Sequence, residues 1–136
     1  MRRLSLPSFA LLLCISLPCV AKAQSGGGHT PYASAASETN ALIKSTRGVT
    51  LYVRGNNVTA NAGYMVLINA ASVPADTSTL TPLACAKIAA NGDAELFVPA
   101  PIAHNTGIVV LFTAATTCFT RTNTNAPSGL FTVLYE

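Results

Sequence analysis

Residues 106–113, TGIVVLFT, decide how the rest of the chain is read. A glycine is followed by five apolar residues, rich in β-branched and aromatic side chains, and the run is closed by threonine. It is too short for a helix of ordinary length, and His104-Asn105-Thr106-Gly107 supplies turn formers before it. Such a run predicts a strand buried on both faces. Gly63–Asn69 (GYMVLIN) has the same character and is its expected neighbour.

Working outward, 49–54 (VTLYVR) alternates Val49, Leu51 and Val53 with Thr50, Tyr52 and Arg54, the period-2 signature of a half-buried strand. Residues 38–45 (ETNALIKS) read as a short helix or an edge strand. A strand is favoured, joined to 49–54 as a hairpin through Thr46-Arg47-Gly48. Gly55-Asn56-Asn57 is expected to break the strand and open a polar loop. Residues 83–88 (LACAKI) place Cys85 and Lys87 on one face and Ala84, Ala86 and Ile88 on the other. Asn91-Gly92 predicts a type I′ hairpin into 94–98 (AELFV), since both residues tolerate positive φ. Pro99 and Pro101 exclude an interior strand over 99–102 and suit a crossing between sheets. Residues 118–122 and 130–135 (LFTVLY) complete the set. About seven or eight short strands between turns predict an all-β fold: a single antiparallel β-sandwich over 38–136, jelly-roll or immunoglobulin-like.

The first 23 residues read as a signal peptide. Arg2 and Arg3 precede an apolar stretch, Pro18 ends it, and Ala21-Lys22-Ala23 gives the small-x-small pattern for cleavage before Gln24. The apolar stretch falls short of the ~20 residues that a membrane span needs. Leu13 and Pro18 stand before Cys14 and Cys19 where a lipidation site wants a small residue. The expected location is periplasmic or extracellular, with no membrane span in the mature chain. Residues 24–37 (QSGGGHTPYASAAS) read as a flexible linker.

Cleavage removes three of the eight lysines and arginines, leaving five cations against five carboxylates and a formal net charge of zero. The cations are scattered, so the basic stripe of a nucleic-acid surface is absent from the sequence. Two cysteines remain, Cys85 and Cys118, and in an oxidising compartment they are expected to form a disulfide.

Chemistry is hard to find. Serines are plentiful, but none lies in a G-x-S-x-G elbow. His29 sits in the linker, and His104 reads as a loop residue bonded to nearby backbone. Asp93 and Glu95 are best taken as solvated hairpin charges rather than an acid–base pair. Metal-ligand spacings and phosphate-binding glycine loops are missing, so neither a metal nor a cofactor is implied. Asn57-Val58-Thr59 matches a glycosylation acceptor and is read as chance beside a bacterial-looking leader. For a sugar or small ligand, Tyr52 and Arg54, with the Asn-rich segment 56–61, are the residues the sequence offers.

The order of Thr39-Asn40-Ala41, GVTLYV (48–53), AGYMVLIN (62–69), Val73-Pro74-Ala75-Asp76, Thr81-Pro82, TGIVVLF (106–112) and a closing LFTVLY resembles small β-sandwich proteins of phages, prophages and bacterial genomes, phage-associated structural proteins among them. The resemblance implies a β-sandwich over nearly the whole mature chain and carries no catalytic residues. The expectation is a secreted, non-enzymatic structural or attachment module. Its partner would be a protein or a second copy met through sheet edges, and the alternative is a carbohydrate- or small-ligand-binding module of the cell envelope.

Overall fold

The computed structural model describes residues 28–136; the expected signal peptide and the first residues of the expected linker lie outside them. Nine strands and no helix make up the described chain: β1 (Thr30–Ala33), β2 (Asn40–Lys44), β3 (Gly48–Asn57), β4 (Gly63–Asn69), β5 (Pro82–Ile88), β6 (Asp93–Leu96), β7 (Ile102–His104), β8 (Ile108–Thr113) and β9 (Gly129–Tyr135). They form two antiparallel sheets. The first has the order β1-β9-β3-β6, with β7 also on β3; the second has the order β2-β8-β4-β5.

β8 is buried at all six of its positions, and the reason is visible in its register. Met65, Leu67, Val110 and Phe112 on β4 and β8 face Val53, Phe131 and Val133 of the first sheet. The alternate residues Val66, Ile68, Val109 and Leu111 form a second apolar cluster on the other side. β4 pairs with β8 from Tyr64↔Thr113 to Asn69↔Ile108, as two apolar runs of this kind should. Between the sheets Phe112 and Phe131 stack with ring centroids 4.4 Å apart.

Several connections differ from expectation. β2 and β3 do not form a hairpin: β2 pairs with β8 in the second sheet and β3 with β9, β6 and β7 in the first. The 88–93 turn also links different sheets, because Ile88 and Ala94 enter the shared core from opposite sides. Asn91 has a positive φ of 49°, but Gly92 does not have a positive φ, so the turn is not type I′. Residues 99–102 do not cross between sheets. β6 and β7 lie along the same edge of β3, and Pro99 and Pro101 interrupt what would otherwise be one strand.

Gly55-Asn56-Asn57 does not break β3. A Cβ on Gly55 would stand 2.5 Å from Met65 Sδ and 3.0 Å from Phe112 Cζ, so the glycine is there for close packing across the core. A register irregularity between Thr50 and Tyr52 turns Thr50 inward, and the simple alternation expected over 49–54 fails at that point.

The lead-in is not an unstructured linker throughout. Thr30–Ala33 pair with β9, and the Glu38 carboxylate accepts hydrogen bonds from Tyr32 Oη at 2.7 Å and from Ser34 Oγ. Burial, and then the Glu38 carboxylate, push the Tyr32 phenol above its ordinary pKa. Residues 118–122 are not a strand; Thr120 makes a single bridge to Thr79.

Candidate functional site: the open face of the first sheet

The outer faces of the two sheets have opposite fates. Over the second sheet, the loops that follow β4 and β8 fold down on Val66, Ile68, Val109 and Leu111. Leu80 anchors this cover: its N–H donates to the Phe119 carbonyl at 2.8 Å, and its side chain is 3 % exposed. Arg121 N–H donates to Ser78 O at 2.9 Å, and Asn123 N–H to Asp76 Oδ1 at 2.9 Å. Cys85 of β5 and Cys118 of the second loop stand within disulfide-bonding distance, their Cα atoms 6.3 Å apart. That spacing is ordinary for a bridged pair.

Among the described residues the first sheet has no such cover. Tyr52, Arg54 and Asn56 alternate outward on β3, opposite Leu134, Thr132 and Leu130 of β9. On the other side of β3, Arg54 faces Glu95 and Asn56 faces Asp93 of β6. A shallow recess of about 280 Å³ lies among Arg54, Asn56, Asp93, Leu130 and Thr132. Asn56 Nδ2 donates to Asp93 Oδ1 at 2.8 Å, and Arg54 Nη2 lies 3.4 Å from Asp93 Oδ2. The Asn56 hydrogen bond, helped by the charge and hydrogen bond of Arg54, holds the Asp93 carboxyl below its usual range against the opposing effect of desolvation. Just beyond β6, Phe97 is 84 % exposed.

Of the residues the sequence offers for ligand binding, Arg54 is in this recess. Tyr52 lies one step along the same face and is partly buried. The Asn-rich segment divides. Asn56 belongs to the recess, whereas Asn57 is buried, with Nδ2 donating to the Asn61 and Ala89 carbonyls at 2.7 Å. Asp93, Leu130 and Thr132 were not singled out from the sequence as ligand-binding residues. Asn56, offered by the sequence as part of a loop, instead continues the outward alternation of Tyr52 and Arg54, because the strand runs past Gly55.

The histidines stand apart from this face. His29 Nδ1 is 2.9 Å from Glu136 Oε1, both side chains about half exposed. His104 ends β7 rather than lying in a loop. It is buried, its Nε2 is 2.9 Å from the buried Thr50 Oγ1, and its Nδ1 lacks a hydrogen-bond partner. Burial lowers its pKa below the ordinary histidine value, opposed by the nearby Gly107 and Ile68 backbone. Among the described residues no group of three or more His, Cys, Asp or Glu side chains is placed to hold a metal ion. No helix among them is long and apolar enough to cross a membrane.

The sheet edges are blunted. β1 carries Pro31, β2 has a register shift between Leu42 and Lys44, β5 begins at Pro82 and exposes Lys87, and prolines split β6 from β7. Each device discourages pairing with another chain. Comparison with protein-family models, with curated proteins and with solved structures returns no match.

Proposed function

We propose that the chain is an exported β-sandwich of jelly-roll order that acts as a non-enzymatic attachment module through the outer face of its first sheet. The path of the chain supports the jelly roll. Taken in order, and counting β6 and β7 as one interrupted strand, the strands fall in the first, second, first, second, second, first, second and first sheets. That is the course of two interlocked Greek keys. The disulfide-spaced cysteines fit the oxidising compartment that the leader implies, and the resemblance to phage-associated structural proteins fits a role in shape and contact.

The contrast between the two outer faces carries the functional reading. The apolar outer side of the second sheet is sealed by the chain's own loops, while the first sheet presents a mixed polar and apolar surface on paired strands. With the edges blunted, contact is assigned to the face instead. The test is attachment of fluorescently labelled mature protein to bacterial cells, with light scattering in parallel. Wild-type protein should adhere to cells or self-associate. Leu130→Glu with Thr132→Arg should abolish this, and Lys87→Glu on the other sheet should not. A monomer that adheres to nothing would overturn the reading.

A further inference from the structure

We infer that the recess beside Arg54, Asn56 and Asp93 is a binding site for a neutral pyranose sugar at the edge of a glycan. The inference rests on the open face being the contact surface and names what that face takes.

The ligand class follows from what the recess offers. A pyranose presents adjacent hydroxyls, each both donor and acceptor, around a ring whose faces carry C–H groups. Each Asp93 oxygen is engaged once, Oδ1 by Asn56 and Oδ2 by Arg54, so lone pairs remain to accept from hydroxyls. Arg54 has further N–H donors, and Asn56 keeps its carbonyl. Donors and acceptors thus stand side by side, as neighbouring hydroxyls require. Leu130, 42 % exposed, supplies an apolar floor for the C–H side of the ring.

Charge argues against the main rivals. Arg54 and Asp93 cancel within the recess, and Glu95 stands opposite Arg54 on β6, so there is no surplus positive charge to hold phosphate, sulfate or an acidic sugar. Among the described residues the carboxylates do not gather as a cation site would require. The volume of about 280 Å³ sits at the lower edge of small-molecule pockets and suits one ring. Phe97, at the end of β6, offers an aromatic surface for a neighbouring unit. The contacting groups come from three hydrogen-bonded strands, so little order has to be gained on binding.

The experiment is an amide-shift NMR titration of mature protein with neutral trisaccharides built from glucose, galactose, mannose or N-acetylglucosamine. At least one should shift amides of β3, β6 and β9. Asp93→Ala and Asn56→Ala should each weaken it by about tenfold or more, Phe97→Ala less, and Lys87→Ala not at all. Unchanged circular dichroism of the variants separates loss of binding from loss of fold. If no sugar binds but Leu130→Glu with Thr132→Arg still abolishes cell attachment, the sugar inference falls and the contact face stands. If neither occurs, both fall. Shifts given by anionic sugars alone, or by raising the protein concentration, would also overturn it.

Discussion

Cys118, in the loop that follows β8, meets Cys85 on the outer side of β5, and their Cα atoms are 6.3 Å apart. The pair closes a loop over a sequence separation of 33 and holds the cover against Val66 and Leu111. In the chain-entropy account a bond closing a loop of that size contributes about 3–4 kcal/mol. Cys85→Ser with Cys118→Ser should lower stability by that order in urea unfolding. Amide exchange should quicken first at Leu80 and at the outward residues of β8.

The stack of Phe112 on Phe131 joins the two sheets at their centre, with both rings fully buried. Phe131→Ala should cost about 3–5 kcal/mol, since the rigid strands around it cannot close the cavity. A double-mutant cycle with Phe112→Leu and Phe131→Leu should show a coupling of roughly 0.5–1.5 kcal/mol beyond area burial. Additive effects would mean that the contact between the rings adds nothing specific.

Two glycines should respond differently to a single methyl group. At Gly55 the obstacles are the Met65 and Phe112 side chains, whereas at Gly129 they are the backbone of Asn56 and Asn57. Side chains can yield, so Gly55→Ala should cost about 1–3 kcal/mol. Gly129→Ala has to push β9 off β3 and should be the more damaging, with loss of soluble expression or of a cooperative melt.

His104 predicts an acid sensitivity whose sign is fixed. Burial lowers its folded pKa, so the unfolded chain, with an ordinary histidine, takes up a proton that the folded chain refuses. Its contribution is therefore present above about pH 6.5 and is lost as pH falls below that value toward the folded pKa. The slope from one such group is at most about 1.4 kcal/mol per pH unit. Urea midpoints measured between pH 7.5 and 5 should show this fall, and His104→Gln should flatten it.

Much of the fold was legible because burial leaves a local imprint. The apolar run of Gly63–Asn69 is a strand over the bounds expected, and β8 is buried on both sides as its unbroken hydrophobicity implied. Sheet membership was not legible. Alternation tells which side of a strand is buried but not which sheet the strand joins, and both expected hairpins failed for that reason. Gly55 misled in a related way: a glycine that breaks a strand and one that lets two layers approach look alike in sequence. At the candidate site, alternation along β3 brought out Tyr52 and Arg54. Asp93 and Leu130 join them through register with β6 and β9, which no local pattern encodes.

β1 runs beside β9, placing Thr30 opposite Tyr135 and His29 against Glu136. The first and last described residues therefore leave the domain at one corner. A short glycine–serine bridge across that corner, with new termini opened at the exposed Ala89–Ala90 turn, should give a circular permutant that still folds. A fusion at either end would likewise depart from the same point, so a reporter or second domain could be moved from one terminus to the other without re-aiming the open face of the first sheet.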